Sequence, residues 1–147
     1  MKYYKKNMEG IKLTAENYVD KRKRFYESLN NNNKFKEKFK DEKFKILLNP
    51  KDGKYAALII VEKGTVSVEK LPNYPISNFD ENILGWDAMM QTTLEIFDEI
   101  GQGKLSTSAI MKKVLMRKIK MKNPILLLKL NENDELLKEE GKNSLLL

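Results

Sequence analysis

The chain contains no Cys and no His. The first absence excludes disulfides, thiolate nucleophiles and thiolate metal sites. The second excludes Ser-His-Asp triads, imidazole ligation of zinc or haem, and every acid or base built on an imidazole. Catalysis would have to rest on carboxylates, Lys, Tyr or hydroxyls, and a metal would have to be a hard cation held by oxygen. Glycine and proline are also scarce, 7 and 4 among 147 residues, so collagen-like and low-complexity classes are excluded. No apolar run reaches the roughly 18 residues of a membrane-spanning helix. Met1-Lys2-Tyr3-Tyr4-Lys5-Lys6 opens onto no apolar stretch of the kind a secretory signal needs. Ser144-Leu145-Leu146-Leu147 lacks the central Lys of the peroxisomal address. The expectation left by these absences is a soluble, cytoplasmic protein.

What is present is a globular composition, 41% apolar and 33% charged. At this length one domain buries roughly 68–70% of the surface its unfolded chain exposes. We divide the chain into an extension (1–13), a single domain (14–140) and a tail (141–147); no internal repeat is visible. The net charge of +7 conceals a pattern. Residues 1–49 carry 14 Lys and Arg against 7 Asp and Glu, residues 50–105 carry 5 against 9, residues 106–130 carry 7 against none, and residues 131–147 carry 2 against 5. Two basic blocks around an acidic one suit phosphates, of nucleic acid or of an anionic membrane, and they equally suit an ordinary solvated surface.

Thr14 is placed to cap a first helix whose apolar residues Tyr18, Phe25, Tyr26 and Leu29 return to one side, with Lys21-Arg22-Lys23-Arg24 mostly on the other. Asn30 to Asn33 stop that helix and read as a loop, and Phe35 and Phe39 mark a short second helix. Phe44 to Leu48 then reads as a strand, Asn49-Pro50-Lys51-Asp52-Gly53 as a turn, and Tyr55 to Val61 as a strand covered on both faces. Glu62-Lys63-Gly64 turns it into Thr65 to Glu69. Leu71 to Gly85 reads as a long loop.

Trp86 to Ile100 fits two templates. The spacing of Trp86, Met89, Met90, Thr93, Leu94, Phe97 and Ile100 favours one helix; Trp86, Ala88, Met90 and Thr92 fit one face of a strand, with Thr93 capping a helix from Leu94. Gly101 and Gly103 end that helix, and Ser106 caps the next, lined by Ile110, Met111 and Val114. Lys118-Ile119-Lys120-Met121-Lys122 alternates strictly, as a half-buried strand with a lysine face does. Asn123-Pro124 opens a last apolar helix through Leu130, which Leu136 and Leu137 extend or follow.

These last segments resemble the sterol-carrier-protein-2 family of lipid-binding domains. The resemblance lies in Gly103-Lys104-Leu105-Ser106, the small-residue helix through Ala109, the alternating Lys118 to Lys122 strand, and Leu126-Leu127-Leu128-Lys129-Leu130. Asp87-Ala88-Met89-Met90-Gln91-Thr92 stands in the place of the family's fourth strand. The match runs from about Tyr18 to Leu130 and is strong from Trp86 onward. Where the family has Gly shortly before and directly after the lysine strand, this chain has Met116 or Arg117, and Asn123. The resemblance implies an α+β fold: a five-stranded, mostly antiparallel sheet with helices on one face and an apolar tunnel between the layers. It makes Trp86 to Thr92 a strand, against the periodicity. It implies binding of a fatty acid, acyl-CoA, phospholipid, isoprenoid or sterol, for transfer between membranes or presentation to an enzyme, with no cofactor and no metal.

The tunnel walls expected on this basis are Trp86, Ala88, Met90, Phe97, Ile100, Ile110, Met111, Val114, Ile119, Met121, Leu126, Leu127 and Leu130. Met89, Met90, Met111, Met116 and Met121 lie in the segments the family uses for its tunnel, where an unbranched, polarizable side chain adapts to a ligand, although any single Met is more often plain core. Strand parity sends Met89 away from the layer that Met90 enters. A charge at Met90 or Met111 is expected to abolish lipid binding. The surface expected to meet anionic headgroups is Lys112, Lys113, Arg117, Lys118, Lys120 and Lys122. Phosphate recognition on a CoA-type ligand is a second use of it. Nucleic acid is disfavoured, because no exposed aromatics interleave with the lysines. Leu145-Leu146-Leu147 is a frayed tail or, through a Gly141 hinge, a plug. Enzyme candidates are thin: Asp98 and Glu99 point apart on a helix, Asp80-Glu81 sits in a loop, and no phosphate loop, nucleophile elbow or calcium loop occurs. The alternative to a lipid carrier is a basic adaptor for membrane or nucleic acid with no internal ligand; the residues do not decide between a monomer and a homodimer.

Overall fold

The computed structural model describes Thr14, residues 17–73 and residues 81–131. The expectations for 1–13, for Leu136 and Leu137, and for the 141–147 tail lie outside the described residues.

Thr14 and Asn17 exchange hydrogen bonds, Thr14 N–H donating to Asn17 Oδ1 at 2.7 Å and Asn17 N–H to Thr14 Oγ1 at 3.1 Å. This reciprocal pair satisfies donors that a helix start leaves unbonded, and α1 (Tyr18–Glu27) follows. The Asn run is not an inert loop. A 3₁₀ turn (Ser28–Asn31) carries Asn30 against the sheet, and Asn32, itself buried, caps α2 (Asn33–Lys38) by accepting from Phe35 N–H at 3.0 Å. Asn does both because its short amide reaches backbone groups that a loop or helix end exposes. Phe35 and Phe39 stack at 4.9 Å between ring centroids.

Strands β1 (Lys43–Pro50), β2 (Tyr55–Glu62) and β3 (Thr65–Pro72) then form consecutive antiparallel pairs. The turn between β2 and β3 has Lys63 and Gly64 at φ 50° and 77°, the left-handed pair that a two-residue hairpin requires. The expected loop from Leu71 is shortened at both ends, since Leu71 and Pro72 belong to β3 and Glu81–Leu84 forms the one-turn helix α3.

β4 (Ala88–Thr92) returns parallel to β1 and is followed directly by α4 (Leu94–Gly101), capped by Thr93 Oγ1 accepting from Ile96 N–H at 3.3 Å. The single helix favoured by periodicity is therefore replaced by strand and helix. The strand is buried on both faces, so its apolar residues fall at spacings that also satisfy a helical stripe. Gly103, at φ 72°, ends α4, with Gly103 N–H bonded to Ile100 O and Lys104 N–H to Glu99 O. Ser106 caps α5 (Thr107–Leu115) through Ala109 N–H at 3.1 Å. The alternating lysine segment is a strand only over β5 (Lys120–Lys122), antiparallel to β4, and Asn123 caps α6 (Pro124–Asn131).

The sheet order is β3-β2-β1-β4-β5, three antiparallel pairs and one parallel. The fold is thus α+β, with a five-stranded, mostly antiparallel sheet. Register sets its inner face. Val68, Ile59, Ile46 and Ala88 form one cross-strand row, and Ala57, Leu48, Met90 and Met121 the next. Against this face pack Tyr18, Val19, Phe25, Tyr26 and Leu29 from the N-terminal helical segment, Phe97 from α4, and Leu127 and Leu130 from α6. The opposite face carries a smaller cluster of Leu47, Ala56, Leu58 and Met89 under Leu84 and Trp86. Among the described residues no helix is long and apolar enough to cross a membrane.

Candidate functional site

Of the expected wall residues, Ala88, Met90, Phe97, Ile119, Leu127 and Leu130 are buried together in the core between the sheet and its helices. Ile100, Ile110, Val114, Met121 and Leu126 pack half-buried against that core. Two expectations are corrected. Trp86 packs on the opposite face with Leu84 and Met89. β4 begins only at Ala88, and Gly85 at φ 70° turns the chain just before Trp86, so strand parity does not reach back to it. Asp87 then locks the strand start, donating its N–H to Lys45 O at 2.7 Å and accepting Lys45 N–H on Oδ2 at 2.8 Å.

Met111 is the second correction, at 45% exposure. On α5 the pair Ile110 and Val114, four apart, takes the inner side, which turns Met111 and Leu115 outward. The five methionines accordingly separate. Met90 and Met121 face inward, Met89 faces the opposite layer as parity requires, and Met111 and Met116 are exposed.

The expected basic surface runs continuously along the chain from α5 through a tight turn into β5. Lys112, Arg117, Lys118, Lys120 and Lys122 are exposed and Lys113 is half-buried. Among the described residues none of the six forms an ion pair. The turn is held by backbone bonds: Lys118 and Ile119 N–H both donate to Lys113 O, at 2.9 and 3.2 Å, and buried Thr92 donates its hydroxyl to Lys118 O at 2.8 Å. Arg117 and Asn123 lie at φ 61° and 54°. Both adopt the left-handed conformation glycine favours, Asn123 at one expected glycine place and Arg117 at one of the two residues, Met116 or Arg117, expected at the other. α5 and the residue after it also bear exposed apolar side chains, Met111 at 45%, Leu115 at 82% and Met116 at 54%.

One interior group was not expected. Lys21, Lys23 and Arg24 keep to the half-buried or exposed side of α1, but Arg22 turns inward and is 1% exposed. Its Nε and Nη1 make no hydrogen bond; its Cζ stands 5.5 Å from the centroid of the Tyr18 ring. The Tyr18 hydroxyl is likewise buried and unbonded, and burial pushes its pKa far above the ordinary phenol range, opposed by the Arg22 charge. The signal lay in the spacing: Arg22 is four residues from both Tyr18 and Tyr26, on the apolar side. Burial also lowers the Lys21 pKa, against the raising effect of Asp98.

Asp98 accepts from Gln102 Nε2 at 2.8 Å, and no group of three or more acidic residues among the described residues could hold a metal ion. An open groove of about 360 Å³ lies on the β2–β3 hairpin, lined by Ile60, Glu62, Lys63, Thr65, Val66 and Ser67, at the other edge of the sheet from β5.

No family model matches the chain, and no curated protein matches it. Among solved structures it is similar to a double mutant of the sec-alkyl sulfatase PisA1, with 14% identity, a TM-score of 0.44, and coverage of 59% of this chain and 12% of that one. A second similar structure is the stereoselective inverting sec-alkylsulfatase Pisa1 from Pseudomonas sp., with 14% identity, a TM-score of 0.39, and coverage of 54% and 11%. The chain thus spans about an eighth of the length of the structures it matches.

Proposed function

We propose that the protein is a non-enzymatic, cytoplasmic lipid-binding domain of the sterol-carrier-protein-2 type. It holds a fatty acid, acyl-CoA, phospholipid, isoprenoid or sterol in an apolar tunnel between the sheet and α4 to α6, and docks on anionic membrane through α5, the following turn and β5. The observation that carries this reading is the state of α5. Its nine residues include none that is buried, yet Ile110 and Val114 lean on the core and Met111 and Leu115 face solvent. A helix apolar on both aspects and committed to neither suits a cover that exchanges protein contacts for acyl chains at a membrane interface. Lys112 and Lys113 at its end, then Arg117, Lys118, Lys120 and Lys122, supply headgroup contacts of about 1 kcal/mol each.

Support for the family reading comes from the left-handed Arg117 and Asn123 and from eleven wall residues gathered at one layer. Lysines on an edge strand also discourage sheet-to-sheet aggregation. That role accounts for Lys120 and Lys122, but not for the exposed Met111, Leu115 and Met116 beside Lys112 and Lys113.

Native mass spectrometry of freshly purified protein, followed by organic extraction, tests the internal ligand. An extra mass resolving into an acyl or isoprenoid lipid is the expected result. A clean protein mass with no later uptake of fluorescent fatty acid removes the carrier reading and leaves a basic adaptor. Sedimentation with anionic and neutral vesicles across salt then tests docking, with binding expected only to the anionic ones and weakening as salt rises.

A further inference from the structure

A guanidinium cannot shed its charge by deprotonation as a buried Lys does, so a buried Arg needs acceptors. Arg22 has none at Nε or Nη1, although it is 1% exposed and sits in the main core layer of the molecule. The ring of Tyr18 under it provides a π face at 5.5 Å, which stabilises the cation in part but leaves its Nε and Nη1 N–H groups unbonded. The Tyr18 hydroxyl beside it is a further unused donor. In a native protein buried donors without partners are few, and each calls for a physical reason, of which an acceptor that arrives from outside is one.

The pair is connected to the expected ligand walls. Tyr18 packs on Phe97 with ring centroids 5.2 Å apart, and Phe97 is buried with Met90, Leu127 and Leu130. The polar donors therefore stand at one end of an otherwise apolar layer. An acceptor brought there has to carry negative charge to match Arg22, and it has to arrive attached to an apolar body. We infer that Arg22 and Tyr18 hold the ionised carboxylate of a long-chain fatty acid, whose hydrocarbon lies along the core between the sheet and α4 to α6. The inference rests on the lipid-binding reading and narrows it from lipids in general to those with a free, singly charged carboxylate head. Guanidinium suits this task because its planar donors match a carboxylate and it is less strongly hydrated than an ammonium group.

Equilibrium binding of hexadecanoic acid and of its methyl ester at pH 8 tests it, on the full chain freed of endogenous lipid. The wild-type protein is expected to favour the acid by at least tenfold. Arg22→Met, which keeps most of the apolar volume, is expected to lose that preference while retaining ester affinity; Tyr18→Phe, which removes one donor and leaves the ring, is expected to reduce it severalfold. Equal wild-type affinity for acid and ester overturns the inference and leaves the lipid reading standing. Binding of neither probe overturns the inference, and together with a clean native mass of the purified protein it overturns the lipid reading as well. A preference for the acid that survives in Arg22→Met assigns it to the surface lysines and overturns the inference again. The wild-type ratio and Tyr18→Phe decide the matter even if Arg22→Met does not fold.

Discussion

Asn30 pairs with Val66 as a neighbouring strand would: its side-chain amide donates to the Val66 carbonyl and accepts the Val66 N–H, both at 2.8 Å. β3 is an edge strand, and the next outward-facing amide, Val68 N–H, goes to Glu27 Oε2 at 3.1 Å. Side chains from α1 and the 3₁₀ turn thus close an edge that would otherwise recruit another chain. Asn30→Ala removes two part-buried hydrogen bonds, so it is expected to cost about 1–3 kcal/mol, read as a lowered urea midpoint with unchanged slope. Asn30→Asp keeps the acceptor alone and is expected to fall between. A wild-type midpoint for Asn30→Ala would mean that water replaces the amide freely.

Gly64 and Gly103 both have positive φ, 77° and 72°, but different surroundings. A Cβ on Gly64 would stand 2.7 Å from the Lys36 carbonyl oxygen, whereas one on Gly103 meets nothing within 4 Å. The hairpin is pinned there by Gly64 N–H donating to Phe39 O at 2.9 Å. Gly103→Ala is therefore expected to show only the left-handed penalty of about 1 kcal/mol, and Gly64→Ala clearly more, roughly 2 kcal/mol or above, because backbone must move. Thermal melts of the two variants check the order; equal losses would count against the close approach at Lys36.

The strands and caps were legible because their signals are local. Thr93 and Asn123 each sit just before apolar residues, Ser106 three residues before Ala109, and Phe44 to Leu48 has the strand composition it adopts. What escaped was decided by tertiary partners. β4 is buried on both faces, which erases the period that separates strand from helix. Asn30 and Asn32 look like loop filler until β3 and α2 supply the groups they bond. Trp86 missed its expected place because one positive-φ glycine interrupts the parity count. Met111 did so because helix rotation was settled by which of two apolar pairs the core accepted. A charge at Met111 is accordingly expected to leave internal ligand binding intact, the reverse of what sequence alone suggests.

Arg117 carries opposed demands. Its φ of 61° is a conformation an L side chain adopts at a cost of about 1–2 kcal/mol, while its charge belongs to the proposed docking surface. Arg117→Gly is expected to raise stability by up to about 1 kcal/mol, part of the relief being lost to glycine's greater unfolded freedom. The same substitution is expected to weaken binding to anionic vesicles by roughly fivefold, near 1 kcal/mol. Stability from denaturation and affinity from vesicle sedimentation should move in opposite directions. A parallel rise in both would detach the residue from the docking surface.

Met111 and Leu115 separate docking from folding. Both are solvent-exposed on α5, so replacing them together by Ser is expected to change stability by no more than about 1 kcal/mol, since neither leaves a cavity. With every lysine retained, vesicle affinity should nevertheless drop by tenfold or more, because two apolar side chains no longer enter the interface. α5 has no buried residue to anchor it, so its amides are expected to exchange hydrogen faster than those of β1 and β2, and to slow when anionic vesicles are present. Unchanged vesicle affinity in the double variant would reduce docking to electrostatics alone.

Arg22 makes the sharpest separation between what the fold prefers and what a ligand needs. A buried guanidinium with unbonded Nε and Nη1 opposes folding of the empty protein, since it loses hydration without gaining acceptors. Replacing such a charge by an apolar residue of similar size is commonly neutral or stabilising by about 1–4 kcal/mol. Arg22→Met is therefore expected to melt higher than the wild type when both are stripped of lipid. Adding hexadecanoate should reverse or close the gap, because only the wild type gains the carboxylate contact and is stabilised by mass action. The four melts, two proteins with and without fatty acid, form a cycle whose coupling is the quantity of interest. A lipid-free Arg22→Met that is markedly less stable than wild type would show that the guanidinium already has its partners within the fold.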